Sequence, residues 1–456
     1  MNSLHKSITT FFLCSFLAAC FNDSSDSRGN VNDNTDGFRS ILEVTPDDRI
    51  YVDAGDEIVL SASSARHSNG DYVTFYVQSE GGGEYAFYGA AIRNKEVILR
   101  ERLYSIPNQY LKAELVGNKV IIPTTGGVFF YDGEKFGRHF LPFQTGEQRR
   151  RVSSVRSGDN LYVAYDCLIA KMHVPSVTVE SVQSCTISDE GKVLNENRGL
   201  SLDEATGEIY VSATLATRDI NDFFDDGSTG NDPNIHRYGI YKLNLPDDFR
   251  EVFGRYVWDN VDVYNGVLSA FNNCEPGVGN RICVTSYDWN SGTLVGPKLL
   301  TLVDNGIGYV ADFTYTRHQG DIVAAVIRSE GIIELFRKNV DDQDFSKILE
   351  LDAMEQAFSH ASLEFTPQGE YLITGLGLNG PYLLTIDPDG TSVGTTIQVQ
   401  EDVFAIDIEM NFNRETRELI ITQAANDCDA GMDCESNPRS AQLFFVRSSE
   451  TSVATF

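Results

Sequence analysis

Asp262, Asp312 and Asp407 stand at matching places, early in the segments "NVDVY", "VADFTY" and "AIDIEM". Carboxyl groups that recur at one point of a repeating chain can be gathered by a closed ring. A ring of carboxylates can hold a cation, or divide into a general acid and a base for glycoside cleavage. The plainer use of the same three residues is to hydrogen-bond backbone between repeats, and that is the reading adopted here. A second acidic set, Asp427, Asp429, Asp433 and Glu435 in "NDCDAGMDCES", alternates around Gly431. Hard oxygen ligands at that spacing suit Ca²⁺, although the run lacks the full EF-hand pattern and its bidentate Glu. Ca²⁺ is the one cofactor considered; none other is expected.

Other chemistries leave no local trace. His67, His139, His173, His236, His318 and His360 fall in different segments with no His-x-His or His-x-x-x-His spacing, so the sequence presents no local metal site. Neither a serine nucleophile elbow nor a phosphate-cradling glycine loop is present. Arg149, Arg150 and Arg151 form the one basic cluster, with neighbouring acidic loops as the expected mates.

What must position these residues is a repeat. Eight segments share a short alternating run, a turn and a β-rich run ending in small residues; "SVRSGDNLYVAY", "LSLDEATGEIYVSA" and "LEFTPQGEYLITG" are three of them. Their turns centre on Gly55, Gly117, Gly158, Gly207, Gly266, Gly320 and Gly369, with the eighth near Arg417. Val, Ile, Tyr and Leu alternating on either side of a turn predict a β-hairpin. A second hairpin follows in several units, as in "ICVTSYDWNSGTLVG" and "PYLLTIDPDGTSVG". Two hairpins per unit, at a period near 50 residues, make the four-stranded blade of a propeller. The fold expected is all-β: a single β-propeller over residues 41–456, with eight blades and seven as the alternative. The last unit shows three strands, so a strand within residues 41–53 is expected to complete it and close the ring. The one segment with a trace of helical period is "LDAMEQAFSH" at 351–360.

In "GEIYVSA" and "GDNLYVAY" the repeats resemble the YVTN and WD40-like propellers of bacterial envelopes. The Trp-Asp signature of WD40 repeats is missing, and with only two tryptophans the chain also departs from the Trp-rich propellers that bind pyrroloquinoline quinone.

The N-terminus supplies an address. His5 and Lys6 precede an apolar run from Ile8 to Ala19, too short for the ~20 residues of a membrane span but suited to an export signal. Its end, "Leu17-Ala18-Ala19-Cys20", resembles the lipobox of bacterial lipoproteins, which implies cleavage after residue 19 and lipidation of Cys20. Residues 1–19 are then a signal peptide and 20–40 a polar tether too poor in apolar side chains to order itself. The family's inner-membrane retention signal is an Asp after the lipidated Cys. Here that residue is Phe21, which implies anchoring at the outer membrane, with the body in the periplasm or on the cell surface.

Six further cysteines, Cys167, Cys185, Cys274, Cys283, Cys428 and Cys434, form an even set in an exported chain and are expected as disulfides. Their proximity pairs Cys167 with Cys185, Cys274 with Cys283, and Cys428 with Cys434. Each short closure would contribute only ~2–3 kcal/mol and would chiefly stiffen a projecting loop. The longest irregular stretch, Arg218 to His236, carries Phe223 and Phe224 among acids.

The 36 Lys and Arg against 66 Asp and Glu give a net charge of −30, a surface that repels nucleic acid and excludes it as a partner. The function expected is a lipid-anchored scaffold for an envelope protein or glycan, without catalysis. The alternative is a glycan hydrolase or lyase of propeller fold, working through an axial carboxylate site with or without Ca²⁺.

Overall fold

The computed structural model describes residues between Leu42 and Ser448. Residues 1–41 and 449–456 lie outside the description, as do many of the connections, among them 105–111, 140–151, 217–234, 274–280, 303–309, 353–358 and 426–439. Among the described residues all regular structure is β, in eight antiparallel sheets of four or five strands. Seven sheets are each built from one continuous stretch of chain: 59–104, 114–139, 152–184, 186–253, 260–302, 310–352 and 359–398. The eighth, over 405–448, takes in Leu42–Val44 and Ile50–Asp53. The first long strand of a sheet lies against its counterpart in the next, as Val310–His318 does on Ser359–Phe365 and Ala405–Asn413 does on Val59–Arg66. The chain is an all-β propeller, with these strands innermost.

The turn glycines explain why the chain doubles back where it does. Gly117, Gly158, Gly207, Gly266, Gly320 and Gly369 all have positive φ, between +58° and +94°, a region closed to most side chains. At Asn265-Gly266 both residues are left-handed (φ 50° and 74°), the two-residue turn whose twist matches that of the flanking strands. The expected second hairpins are also present: Arg281–Asp288 pairs with Thr293–Leu302, and Gly380–Ile386 with Val393–Gln398.

The first repeat is a correction. "YVDAGDEIVLSA" is not a hairpin about Gly55. Ile50–Asp53 pairs with Ser440–Ser448, whereas Val59–Arg66 opens the first sheet by pairing with Tyr72–Gly81. The true turn is "HSNGD", where Gly70 has φ 93° and His67 and Asp71 bond through their backbones. The stretch between the two strands is thus a passage from the last sheet to the first. In "LDAMEQAFSH", Leu351 and Asp352 end one strand and Ser359 and His360 begin another.

At the seams among the described residues, sheets bury apolar faces against their neighbours. Val323, Ala325, Ile327 and Leu335 pack on Leu363, Phe365, Ile373 and Leu384 of the following sheet, and Phe75 and Phe87 on Phe129 and Phe136. At the closure, Val59, Ala62 and Tyr76 meet Ile420 and Ala424. Full burial of one such side chain stabilises by about 1.5–3 kcal/mol.

A polar strap accompanies the apolar seam at closure. Glu418, 3% exposed, accepts hydrogen bonds from Tyr72 Oη at 2.5 Å and from Arg66 Nη1 at 2.8 Å. Removing this carboxylate takes away the acceptor that the Tyr72 hydroxyl and the half-buried Arg66 guanidinium share. Glu418→Ala is expected to lower stability in urea unfolding by about 2–3 kcal/mol, whereas Lys298→Ala, at an ion pair whose side chains are roughly half exposed, should change it by less than about 1 kcal/mol.

Candidate functional site

The three aspartates singled out by position lie on innermost strands, but two are turned to a neighbouring sheet. Asp262 binds Arg317 of the next sheet through Nε, at 3.2 Å, and Nη2, both side chains being nearly buried. Burial pushes the Asp262 carboxyl up, against the pull of Arg317. Asp312 Oδ2 accepts the Ala361 N–H of its neighbour at 2.5 Å, and Oδ1 accepts Phe313 N–H at 2.7 Å. Asp407, half-buried, stands close enough to Glu409 to act on its charge.

The centre of the ring is crossed by residues that local patterning did not single out. Lys112, leading into the strand Glu114–Val116, pairs with Glu364 on Ser359–Phe365. Two sheets, 405–448 and 59–104, separate theirs around the ring, so the pair runs across the middle rather than along a seam. Asn411 Nδ2 donates to Ser64 O at 2.9 Å and Ala113 O at 2.7 Å, tying three sheets together. Beside them is Glu409, whose Oε1 is closed off from solvent and meets no hydrogen-bond donor among the described residues. Burial pushes its carboxyl up to about 8, opposed by Lys112 and nearby Ser63 and reinforced by Asp407 and Glu364. An acid so displaced is protonated at neutral pH. No spacing flags Glu409, Lys112 or Glu364, because each meets the others only when the ring closes.

A cavity of about 290 Å³ opens elsewhere, between the sheets 260–302 and 310–352 on their hairpin-turn side. Four turns frame it. Tyr264–Val267 is held from the preceding sheet by buried Asp203, which accepts the N–H groups of Asn265 and Gly266, each at 2.8 Å. Asp288 ties its own turn by accepting from Asn290 N, at 2.8 Å, and Ser291 Oγ, at 2.6 Å. Gly320 supplies the third turn, and a Cβ there would lie 3.2 Å from the Tyr264 ring. The fourth follows Lys338. Tyr264 carries Arg317 on its face, with Cζ 4.5 Å from the ring centroid, a favourable stacking of cation on aromatic. Lys338 is 7% exposed; burial, then Arg317, pulls its ammonium below the usual lysine range. Arg317 is thus part of the wall of this cleft, held in place by Asp262 behind it. Local spacing does not mark Lys338, although "FRK" on an alternating strand puts it in register with buried Phe336.

Cys283 is buried and disulfide-bonded. Cys20, Cys167, Cys185, Cys274, Cys428 and Cys434 lie outside the described residues, as do Asp427, Asp429, Asp433, Glu435, the arginines 149–151 and the stretch 218–234. Among the described residues no three His, Cys, Asp or Glu side chains converge as a metal site.

No protein-family model matches the chain, and no curated protein does. Solved structures match over most of the chain. Sqt1 from Chaetomium thermophilum is similar at 12% identity and a TM-score of 0.50, over 89% of this chain and 99% of that one. The Dos1 propeller is similar at 10% identity and 0.49, over 89% and 95%. An oligogalacturonate lyase in complex with manganese aligns at 11% and 0.43, over 88% and 99%. At these identities the likeness extends to the fold alone.

The raised Glu409 makes stability depend on pH with a definite sign. Its folded-state value, about 8, lies above that of an unfolded glutamate near 4.5, so the folded state retains a proton that the unfolded state releases. Stability from this group is full below about pH 4.5 and falls as pH rises to about 8, by up to ~1.4 kcal/mol per pH unit. Urea unfolding from pH 5 to 8 should show that decline in the wild type and a flatter profile in Glu409→Gln; parallel profiles would contradict it.

Proposed function

We propose that the chain is a non-catalytic binding propeller of eight blades, one for each described sheet, fastened by lipid at Cys20 to the outer membrane. Its body extends into the periplasm or from the cell surface and takes an envelope protein or glycan as partner. The observation that carries this reading is how the inner carboxyl groups are used. Asp262 and Asp312 are bound to neighbouring sheets, and Lys112 and Glu364 close on each other across the centre. Glycoside cleavage by two carboxyl groups needs both facing one bond, ~5–10 Å apart, with room for substrate between them. A described opening lies between two sheets instead, with room for a small ligand or one unit of a larger one. The lipid anchor rests on the lipobox resemblance and on the polar tether that follows Cys20. The disulfides proposed for Cys167–Cys185 and Cys428–Cys434, with Cys274 as the mate of Cys283, would stiffen projecting loops.

Mass spectrometry of the mature protein is expected to find an acylated N-terminal Cys20; a chain with residues 19 and 20 still joined, or a free Cys20 thiol, would refute the anchor. Crosslinking of the lipidated protein in its own envelope is expected to recover a defined partner, and Asp312→Asn should leave that recovery unchanged apart from any loss of stability. Turnover of an envelope glycan that Asp312→Asn abolishes would overturn the non-catalytic reading.

A further inference from the structure

We infer that the cleft between the sheets 260–302 and 310–352 binds a singly charged, hydroxyl-rich ligand, an acidic sugar unit of a glycan, with Lys338 as its counter-charge. The inference rests on the binding reading above and names the ligand class for one site.

Contact pairing in and beside the cleft leaves one cation, Lys338, without a carboxylate against it. Arg317 is matched by Asp262 through two nitrogens and is further engaged by Gly320 O. Lys298 is matched by Asp344. At the rim, Asp288 is occupied by its turn and Asp342 accepts from Asn339 Nδ2 at 2.5 Å. Lys338 has no such mate: its hydrogen bond goes to Ser286 Oγ at 3.5 Å, the outer limit of such a bond. No carboxylate among the described residues makes an ion pair with it, although Asp262 and Asp344 stand near enough to favour its charge. A lysine 7% exposed whose ammonium touches no carboxylate is costly, and the space beside it is the cavity itself. An anion bound there would supply the missing contact.

The form of the site selects among anions. A doubly charged phosphate favours a forked guanidinium or a row of N–H groups, and the fork of Arg317 is already taken up by Asp262. One ammonium matches one carboxylate. Ser269, Ser286 and Thr293 line the cleft with groups that both donate and accept, the complement of sugar hydroxyls. Ile322 and Val340 offer an apolar patch for the C–H face of a ring. The volume lies at the low end of ligand pockets, ~300–1,000 Å³, and so takes one unit of a chain.

The test titrates the purified full chain with sodium D-glucuronate and sodium D-galacturonate, with D-glucose, D-galactose and inorganic phosphate as comparisons, followed by calorimetry and by protein NMR. Saturable binding of a uronate is expected, weakened about thirty-fold or more by Lys338→Met, largely retained in Lys338→Arg, and reduced several-fold by Ser286→Ala. Lys338→Met should fold with an unchanged or raised unfolding midpoint, since it removes an unmatched buried charge. Absence of saturable uronate binding, equal binding of the neutral sugars, tighter binding of phosphate, or uronate affinity unaltered in Lys338→Met would each overturn the inference. Failure here with envelope crosslinking intact removes this ligand and leaves the binding propeller standing; loss of the crosslinked partner with uronate binding intact does the reverse.

Discussion

A carboxylate withdrawn from water must be given donors, and in this ring the donors come from the neighbouring sheet. Asp71 is fully buried and accepts from Arg93 of its own sheet and from Tyr131 of the next. Burial pushes its carboxyl up, but the bonds from Arg93, Tyr131 and Asn69 outweigh that and hold it below the usual range. Asp203 takes two backbone N–H groups of the following turn, Asp262 takes Arg317, Asp312 takes Ala361 N–H, and Glu418 takes Arg66 and Tyr72 at closure. Five seams share one device. At these seams an acid of one sheet fixes it in angle and height against the next. A hydrophobic seam alone would tolerate sliding, which directional, desolvated bonds do not.

This arrangement also decides what the acids are free to do. An acidic propeller with aspartates at recurrent inner positions invites an enzymatic reading. The geometry makes straps of Asp262 and Asp312, sets Glu364 against Lys112 across the centre and holds Glu409 protonated. It leaves the chemistry unspent at a seam where a strap doubles as a wall: Asp262 holds Arg317, Arg317 lies on Tyr264, and the space they frame ends at Lys338.

Legibility in the sequence followed the range of the interaction. Turns at Gly117, Gly158, Gly207, Gly266, Gly320 and Gly369 could be read because a left-handed residue and its alternating flanks lie within a dozen positions. The added strands of the last sheet could be anticipated from a unit that showed only three. The first hairpin misled because Ile50–Asp53 and Val59–Arg66 both alternate around "AGDE", and local pattern cannot tell a turn from a crossing between sheets. That Asp262, Asp312 and Asp407 occupy equivalent places was visible; that Asp262 faces a residue 55 positions on, and Asp312 one 49 positions on, was not. The pairing of Lys112 with Glu364, 252 residues apart, depends wholly on closure. Lys338 carried a faint signal in its register with Phe336, but its want of a mate is a property of the assembled seam.

The account turns on inner acids acting as straps between sheets, and a double-mutant cycle on Asp262 and Arg317 tests this most directly. Urea unfolding of Asp262→Ala, Arg317→Ala and the double variant should give a coupling free energy of about 1–3 kcal/mol, with the double variant less destabilised than the sum of the singles. Additive losses, with no coupling between the two residues, would contradict it.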